Sequence, residues 1–78
     1  MSTFVLIHGG WGGGWVWKKV APLLRRAGHE VYTLSLTGLG DRAHLANPEV
    51  SLSTHIDDVT AVFRTEDLTD AILLGHSY

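Results

Sequence analysis

The residues best suited to chemistry lie at the carboxyl end of the chain. The segment Gly75-His76-Ser77-Tyr78 follows a short apolar run and carries the first part of the pattern Gly-x-Ser-x-Gly. In a nucleophile elbow, that pattern turns a strand sharply into a helix and exposes the serine hydroxyl. A serine hydroxyl attacks a substrate efficiently only when a base takes its proton and hydrogen-bond donors stabilise the oxyanion that forms. Ser77 is therefore the candidate catalytic residue.

A glycine-rich loop near the amino end supplies candidate donors for such an oxyanion. It covers residues 9–15 and follows an apolar segment directly. Glycines at this density are typical of backbone that adopts positive φ or approaches another group closely. We predict that the backbone N–H groups of Gly10 and Tyr78 form the oxyanion hole. We also expect Gly9 and Trp11 to contribute to the substrate pocket.

The same loop has an alternative interpretation as a phosphate-binding cradle. A Gly-x-Gly-x-x-Gly pattern that starts at Gly10 needs a glycine where the chain has Trp15, and the loop lacks the lysine before Ser or Thr of a P-loop. Nucleotide binding is therefore the weaker interpretation. Trp15 and Trp17 could line a pocket or anchor the next helix against a sheet, and we favour anchoring for Trp17.

The five histidines all precede Ser77. In sites of this kind the base and the acid that activate the serine follow it in the chain. We expect His8 to form local hydrogen bonds that shape its loop, and His76 to point away from the hydroxyl. His55 and Asp58 are one helical turn apart and could suggest a metal pair, but two such residues are more often solvated. We therefore predict no metal site.

Strands and helices must bring these residues together. Apolar runs at residues 4–7, 30–36 and 72–74 predict strands, the first and last of them buried. Helical spacing predicts helices from residue 15 to about 27 and from 52 to about 66. Pro22 should either kink the first helix or mark a delayed start, and Gly28 suits its end. Residues 37–51 are predicted to form a long surface loop.

This order of elements predicts the fold class. Strand, helix, strand, loop, helix and strand indicate a parallel α/β sheet with right-handed crossovers. We expect the spatial strand order second-first-third. Ser77 then lies at the carboxyl end of the third strand, where open α/β sheets bind their ligands.

Composition excludes several classes of protein. The chain has 78 residues, a formal charge of −2 and no cysteine, so disulfides and thiolate metal sites are impossible. Its basic residues are too dispersed to bind nucleic acid, and Lys18, Lys19, Arg25 and Arg26 are expected to form the solvated face of the first helix. No apolar run approaches the ~20 residues that cross a bilayer, and the start lacks the basic region of a signal peptide. We expect a soluble, cytoplasmic protein.

Several segments together resemble a known family. They are similar to the amino-terminal third of an α/β-hydrolase of the esterase/hydroxynitrile-lyase branch, and residues 33–45 resemble a bacterial esterase-like subgroup of it. The segments are His8-Gly9-Gly10, Gly14-Trp15-Val16-Trp17, Ala21-Pro22-Leu23-Leu24, Gly28-His29-Glu30-Val31 and Leu74-Gly75-His76-Ser77. The resemblance implies carboxylic-ester hydrolysis through an acyl-enzyme intermediate on Ser77. It also implies oxyanion N–H groups at Gly10 and Tyr78, and no cofactor.

Local differences help to choose within this branch. Its lyases typically carry threonine after the loop histidine and an acidic or small residue before the serine, whereas this chain has Gly9 and His76. Ester hydrolysis is therefore favoured, and hydroxynitrile lyase is the alternative. Many α/β-hydrolases end the second of these strands with aspartate, where this chain has Ser35. The resemblance therefore does not predict the shape of the pocket wall beside this strand.

The sequence ends at Tyr78, before the second glycine of the elbow pattern. We expect residues 1–78 to be the amino-terminal fragment of a single α/β-hydrolase domain, inactive alone. A complementary C-terminal polypeptide would then carry the aspartate and histidine of the triad. A non-catalytic truncated fragment is a further alternative, and it would fold loosely because the third strand lacks a neighbour and helix cover.

Overall fold

Three parallel strands form the centre of the structure, a computed structural model that describes residues 1–78. They are β1 (Thr3–Ile7), β2 (Glu30–Leu34) and β3 (Ile72–Gly75). The spatial order is β2-β1-β3, and both pairings of β1 are parallel. This arrangement confirms the predicted parallel sheet and its strand order.

The first crossover contains a shorter helix than the sequence predicts. A 3₁₀ turn, Gly14–Trp17, comes before helix α1, Val20–Arg26. Pro22 is the third residue of α1, where a backbone N–H would have no partner inside the helix, so the proline marks a delayed start and not a kink. Gly28 follows with a φ of +94°, which suits the glycine that ends a helix.

The second crossover leads from β2 through a loop to helix α2, Leu52–Thr65. The loop contains a 3₁₀ segment, Gly40–Leu45, and β2 ends two residues earlier than predicted. The residue that caps α2 is Ser51, whose N–H donates to Thr54 Oγ1 at 3.1 Å. This bond belongs to a capping box, in which the cap and the third helical residue satisfy each other's backbone N–H groups.

The core lies between α1 and the β1–β2 half of the sheet. Leu6 is fully buried and packs with Ala21 and Val31, and Phe4, Trp17 and Leu24 pack against this cluster. Trp17 thus anchors the first crossover on the sheet, as predicted. The large side chains of β3 are between 44% and 55% exposed. The expectation that residues 72–74 form a buried strand is wrong for these 78 residues, because β1 is the only neighbour of β3.

The surface follows the predicted distribution of charge with one exception. Lys18, Lys19, Arg25 and Arg26 are all exposed, but Arg25 also uses Nη2 to donate to the Val31 carbonyl oxygen at 2.9 Å. That bond ties the last turn of α1 to the start of β2. Neither α1 nor α2 has the length and hydropathy of a membrane-spanning helix.

Truncation of the core should be measurable as a loss of stability. Leu6→Ala should lower the free energy of unfolding by about 2–5 kcal/mol, because it leaves a cavity at a site with no exposed surface. Leu23 in α1 is 61% exposed and is the matched control, so Leu23→Ala should change the value by less than about 0.5 kcal/mol. Urea denaturation of each variant measures its free energy of unfolding. Equal losses in the two variants would contradict this placement of the core.

Candidate active site

Ser77 lies directly beyond the carboxyl end of β3 in a strained conformation. Its φ is +56°, a left-handed backbone that costs a non-glycine residue about 1–3 kcal/mol and persists only when its surroundings impose it. The preceding residue is held by the sheet, since the His76 N–H donates to the Ile7 carbonyl oxygen at 3.1 Å. A strained serine directly after a strand is the geometry expected of a nucleophile elbow, and residues 75–78 are called the elbow below.

The glycine-rich loop packs directly against this turn. A Cβ on Gly9 would lie 2.5 Å from the His76 carbonyl oxygen and 2.8 Å from that of Ser77, so only glycine permits the contact. The Gly10 N–H donates to the Ser77 carbonyl oxygen at 3.3 Å. The structure therefore brings Gly9, Gly10, Ser77 and Tyr78 together, as the sequence predicts.

Trp11 is placed differently from these residues. Its side chain is completely exposed, and its φ is +67°. Gly9, by contrast, is buried beneath the elbow. Within residues 1–78 no other element covers the Trp11 ring, and its part in a substrate pocket stays a prediction.

His8 ties the glycine-rich loop to the chain that follows β2. The imidazole is fully buried, and its Nε2 accepts a hydrogen bond from the Leu36 N–H at 2.9 Å. The ring proton therefore sits on Nδ1, which donates to the Gly9 carbonyl oxygen at 2.8 Å. Both ring nitrogens are occupied, which agrees with the prediction that His8 shapes its loop. The bond to Leu36 was not predicted, because the two residues are 28 positions apart.

Thr37 is held by α2 through all of its polar groups. The Asp58 carboxylate accepts the Thr37 N–H at 2.6 Å and its hydroxyl at 2.7 Å, and His55 Nε2 lies 2.9 Å from the Thr37 carbonyl oxygen. Arg42 lies 3.5 Å from the same carboxylate. The interpretation of His55 and Asp58 as merely solvated is wrong, since both position Thr37. No group of three metal-ligating side chains occurs in the structure.

Ser35 connects two loops at the other edge of the sheet. Its hydroxyl accepts the Gly14 N–H at 2.8 Å and donates to the Asp41 carboxylate. The hydrogen bond from Ser35, together with one from the Asp41 backbone, lowers the pKa of Asp41 below its ordinary value of 3.8. The loops also cross at glycines, since a Cβ on Gly13 would lie 2.6 Å from the Gly40 Cα atom.

Two surface depressions accompany these contacts. One, of about 480 Å³, is largely apolar and lies between α2 and the carboxyl ends of β1 and β3. It reaches the elbow at Gly75 and Tyr78. The other, of about 560 Å³, lies between α1 and β2, away from the elbow. Ser77 lines neither of them.

Comparison with known proteins decides the family. Residues 4–78 match the alpha/beta hydrolase family. The chain belongs to this family. The match confirms the resemblance drawn from the motifs, and it agrees with the parallel sheet of the structure.

Individual relatives narrow the comparison to esterases. The chain is 53% identical over 78 residues to a carbendazim hydrolyzing esterase of Nocardioides sp. (strain SG-4G), a match that covers 100% of this chain and 32% of the relative. It is 37% identical over 78 residues to putative methylesterase 15, chloroplastic, of Arabidopsis thaliana, covering 99% of this chain and 18% of the relative. A solved extracellular alpha/beta-hydrolase from a Paenibacillus species, 40% identical, superposes with a TM-score of 0.87 over 99% of this chain and 31% of its own.

The chain therefore spans about a third or less of the length of these relatives. Each relative contains the matching segment within one longer chain. The expectation of a separate, complementary C-terminal polypeptide is not supported by these comparisons.

The two neighbouring glycines give a test of how the loop meets the elbow. Gly9→Ala should lower the free energy of unfolding by about 1–3 kcal/mol, because the new Cβ meets backbone oxygens that cannot move aside easily. Gly10→Ala is the matched control, since its Cβ would lie 3.8 Å from the nearest atom and should cost less than about 0.5 kcal/mol. Denaturant titration of both variants makes the comparison. A larger loss at position 10 than at position 9 would contradict the packing described here.

The pKa of Asp41 gives a second test. Ser35→Ala should raise this pKa towards 3.8, and NMR titration of the Asp41 carboxyl carbon measures the change. A carboxylate whose pKa is depressed by folding adds stability above its unfolded pKa and loses it as the pH falls through the folded value. The stability difference between wild type and Ser35→Ala should thus shrink below about pH 4, leaving the part due to the Gly14 bond.

Ser53→Ala is the control for this titration, because Ser53 is an exposed serine of α2 whose hydroxyl contacts only Ser51. It should leave the pKa of Asp41 unchanged. An unchanged value in Ser35→Ala as well would show that the Ser35 hydroxyl is not the cause of the low pKa.

Proposed function

We propose that the intact protein containing these residues is a carboxylic-ester hydrolase with Ser77 as its nucleophile. The observation that carries the proposal is the left-handed φ of Ser77 at the end of β3, with the glycine-rich loop packed against it. The esterase names of two relatives support the same reaction class. We further propose that residues 1–78 are the amino-terminal part of a single α/β-hydrolase domain.

In this mechanism Ser77 Oγ attacks the carbonyl carbon of the ester. The carbonyl oxygen becomes an oxyanion, which accepts hydrogen bonds from the N–H groups of Gly10 and Tyr78. Collapse of this intermediate releases the alcohol and leaves an acyl group on Ser77, and water then releases the acid. In this fold the base that takes the serine proton follows the nucleophile in the chain, so we propose a histidine after Ser77 for this role. His8 and His55 use both ring nitrogens in other hydrogen bonds.

The Gly10 N–H must exchange its partner during this reaction. Its bond to the Ser77 carbonyl oxygen is 3.3 Å long, beyond the usual range of about 2.7–3.2 Å. A charged oxyanion forms shorter and stronger hydrogen bonds than a neutral carbonyl does. Formation of the oxyanion therefore favours transfer of this donor from the peptide to the substrate.

The names of the relatives suggest which esters to test first. Carbendazim and small methyl esters follow from the carbendazim hydrolyzing esterase and the methylesterase. Gly9 and Trp11 are the residues we propose to lie beside the bound ester. A cytoplasmic location stays a prediction, and the extracellular Paenibacillus protein weighs against it.

Substitution of the nucleophile tests the proposal directly. Ser77→Ala in the intact protein should lower kcat for ester hydrolysis by about 10⁴-fold or more, because covalent catalysis is lost while binding remains. A fluorophosphonate probe should label the wild type on Ser77, as located by peptide mass spectrometry, and should not label the variant. Ser53→Ala should retain both labelling and activity. An active wild type without an adduct on Ser77 would reject the serine mechanism.

A cyanohydrin assay distinguishes the alternatives. The proposal predicts ester cleavage without release of cyanide. Cyanide release without ester cleavage would instead assign the protein as a hydroxynitrile lyase. An intact, folded protein with neither activity and no adduct would show that the assembled site is not catalytic.

A further inference from the structure

The side chain of Tyr78 makes contacts that the proposed mechanism does not use. Its hydroxyl lies 2.8 Å from His55 Nδ1, and the two rings meet edge to face with centroids 5.6 Å apart. The other nitrogen of His55 faces the Thr37 carbonyl oxygen, which can only accept a hydrogen bond. His55 Nε2 therefore carries the proton, and Nδ1 accepts from the Tyr78 hydroxyl.

Thr37, which His55 links to Tyr78, is itself firmly held. Both the N–H and the hydroxyl of Thr37 bond to Asp58, whose side chain is only 12% exposed. Leu36, the preceding residue, is 1% exposed, and its N–H bonds to the buried His8. His55 thus connects the ring of Tyr78 to a fixed part of the fold and not to a free loop.

Tyr78 needs such support because of the residue before it. The left-handed φ of Ser77 is maintained only when neighbouring groups impose it. Gly9 and Gly10 restrain the turn from the side of the β1 loop. The hydrogen bond that the Tyr78 hydroxyl donates to His55 adds a restraint from α2. The direction of the Tyr78 N–H is set by the same backbone torsions.

We propose that His55 is a positioning residue for ester hydrolysis. By accepting the hydrogen bond of the Tyr78 hydroxyl, it directs the Tyr78 N–H towards the oxyanion without touching the substrate. The inference rests on the proposed function and extends it to a residue of α2. It predicts that His55 acts on the rate through Tyr78 alone.

Kinetics of the intact protein test this role. Tyr78→Phe removes only the hydroxyl, and His55→Phe keeps an aromatic ring but has no nitrogen to accept the bond. Each should lower kcat by about tenfold with KM changed less than about twofold, because a misdirected oxyanion donor weakens binding of the transition state. The double variant should be no slower than His55→Phe, because both substitutions break the same bond.

A conservative variant and two controls complete the experiment. His55→Gln can donate to Thr37 and accept from Tyr78, so it should recover part of the rate lost in His55→Phe. The controls are Tyr32→Phe in β2 and His44→Phe on the exposed 3₁₀ segment, which remove a tyrosine hydroxyl and the nitrogens of a histidine ring at other positions. Both controls should retain kcat within about twofold, because His44 is exposed and Tyr32 lies in β2, on the far side of β1 from β3.

Several outcomes would overturn the inference. Additive losses in the double variant would show that the two side chains act separately. A raised KM with unchanged kcat would show that the bond contributes only to substrate binding. A loss of stability with unchanged kcat would show that its role is only structural. A wild type with neither ester hydrolysis nor an adduct on Ser77 would refute the proposed function itself. In that case, coupling between positions 55 and 78 in the free energy of unfolding would show that the bond exists but has no role in catalysis.

Discussion

The buried imidazole of His8 is the interaction on which this edge of the sheet depends. Parallel strands deliver their carboxyl ends to one edge, and the loops that leave them carry backbone groups that burial would leave unsatisfied. His8 satisfies one donor and one acceptor at once, the Leu36 N–H and the Gly9 carbonyl oxygen. Without it, the chain after β1 and the chain after β2 would have to separate to reach water. The close contact of Gly9 with the elbow needs the same loop to stay in place.

A second histidine repeats this arrangement with the opposite tautomer. His8 carries its proton on Nδ1 and His55 on Nε2, in each case because the backbone partner leaves one choice. His8 connects the loop after β1 to Leu36, and His55 connects the next residue, Thr37, to Tyr78 in the elbow. The loops after the three strands are therefore joined by side chains, although few contacts join α2 to the sheet itself.

Local patterns predicted the sheet, the strand order and the meeting of Gly9 and Gly10 with Ser77, because each depends on short segments with strong preferences. Residues 4–7 are apolar enough to be read as a strand, and glycines mark a close approach. The network of Thr37, His55 and Asp58 depends on contacts between residues about 20 positions apart, which no local spacing reveals. The exposure of β3 was missed for the reverse reason. Its apolar side chains predict burial, and only the assembled sheet shows that one side of the strand has no neighbour.

The tight packing at Gly9 also limits how a site of this kind can change. In this protein a Cβ added at Gly9 would meet the carbonyl oxygens of His76 and Ser77, so any other residue there requires a shift of the elbow. The next two positions are different. A Cβ at Gly10 meets nothing closer than 3.8 Å, and Trp11 is bare to solvent. Libraries intended to alter substrate choice are best built at Gly10 and Trp11, the two residues that follow this tightly packed glycine.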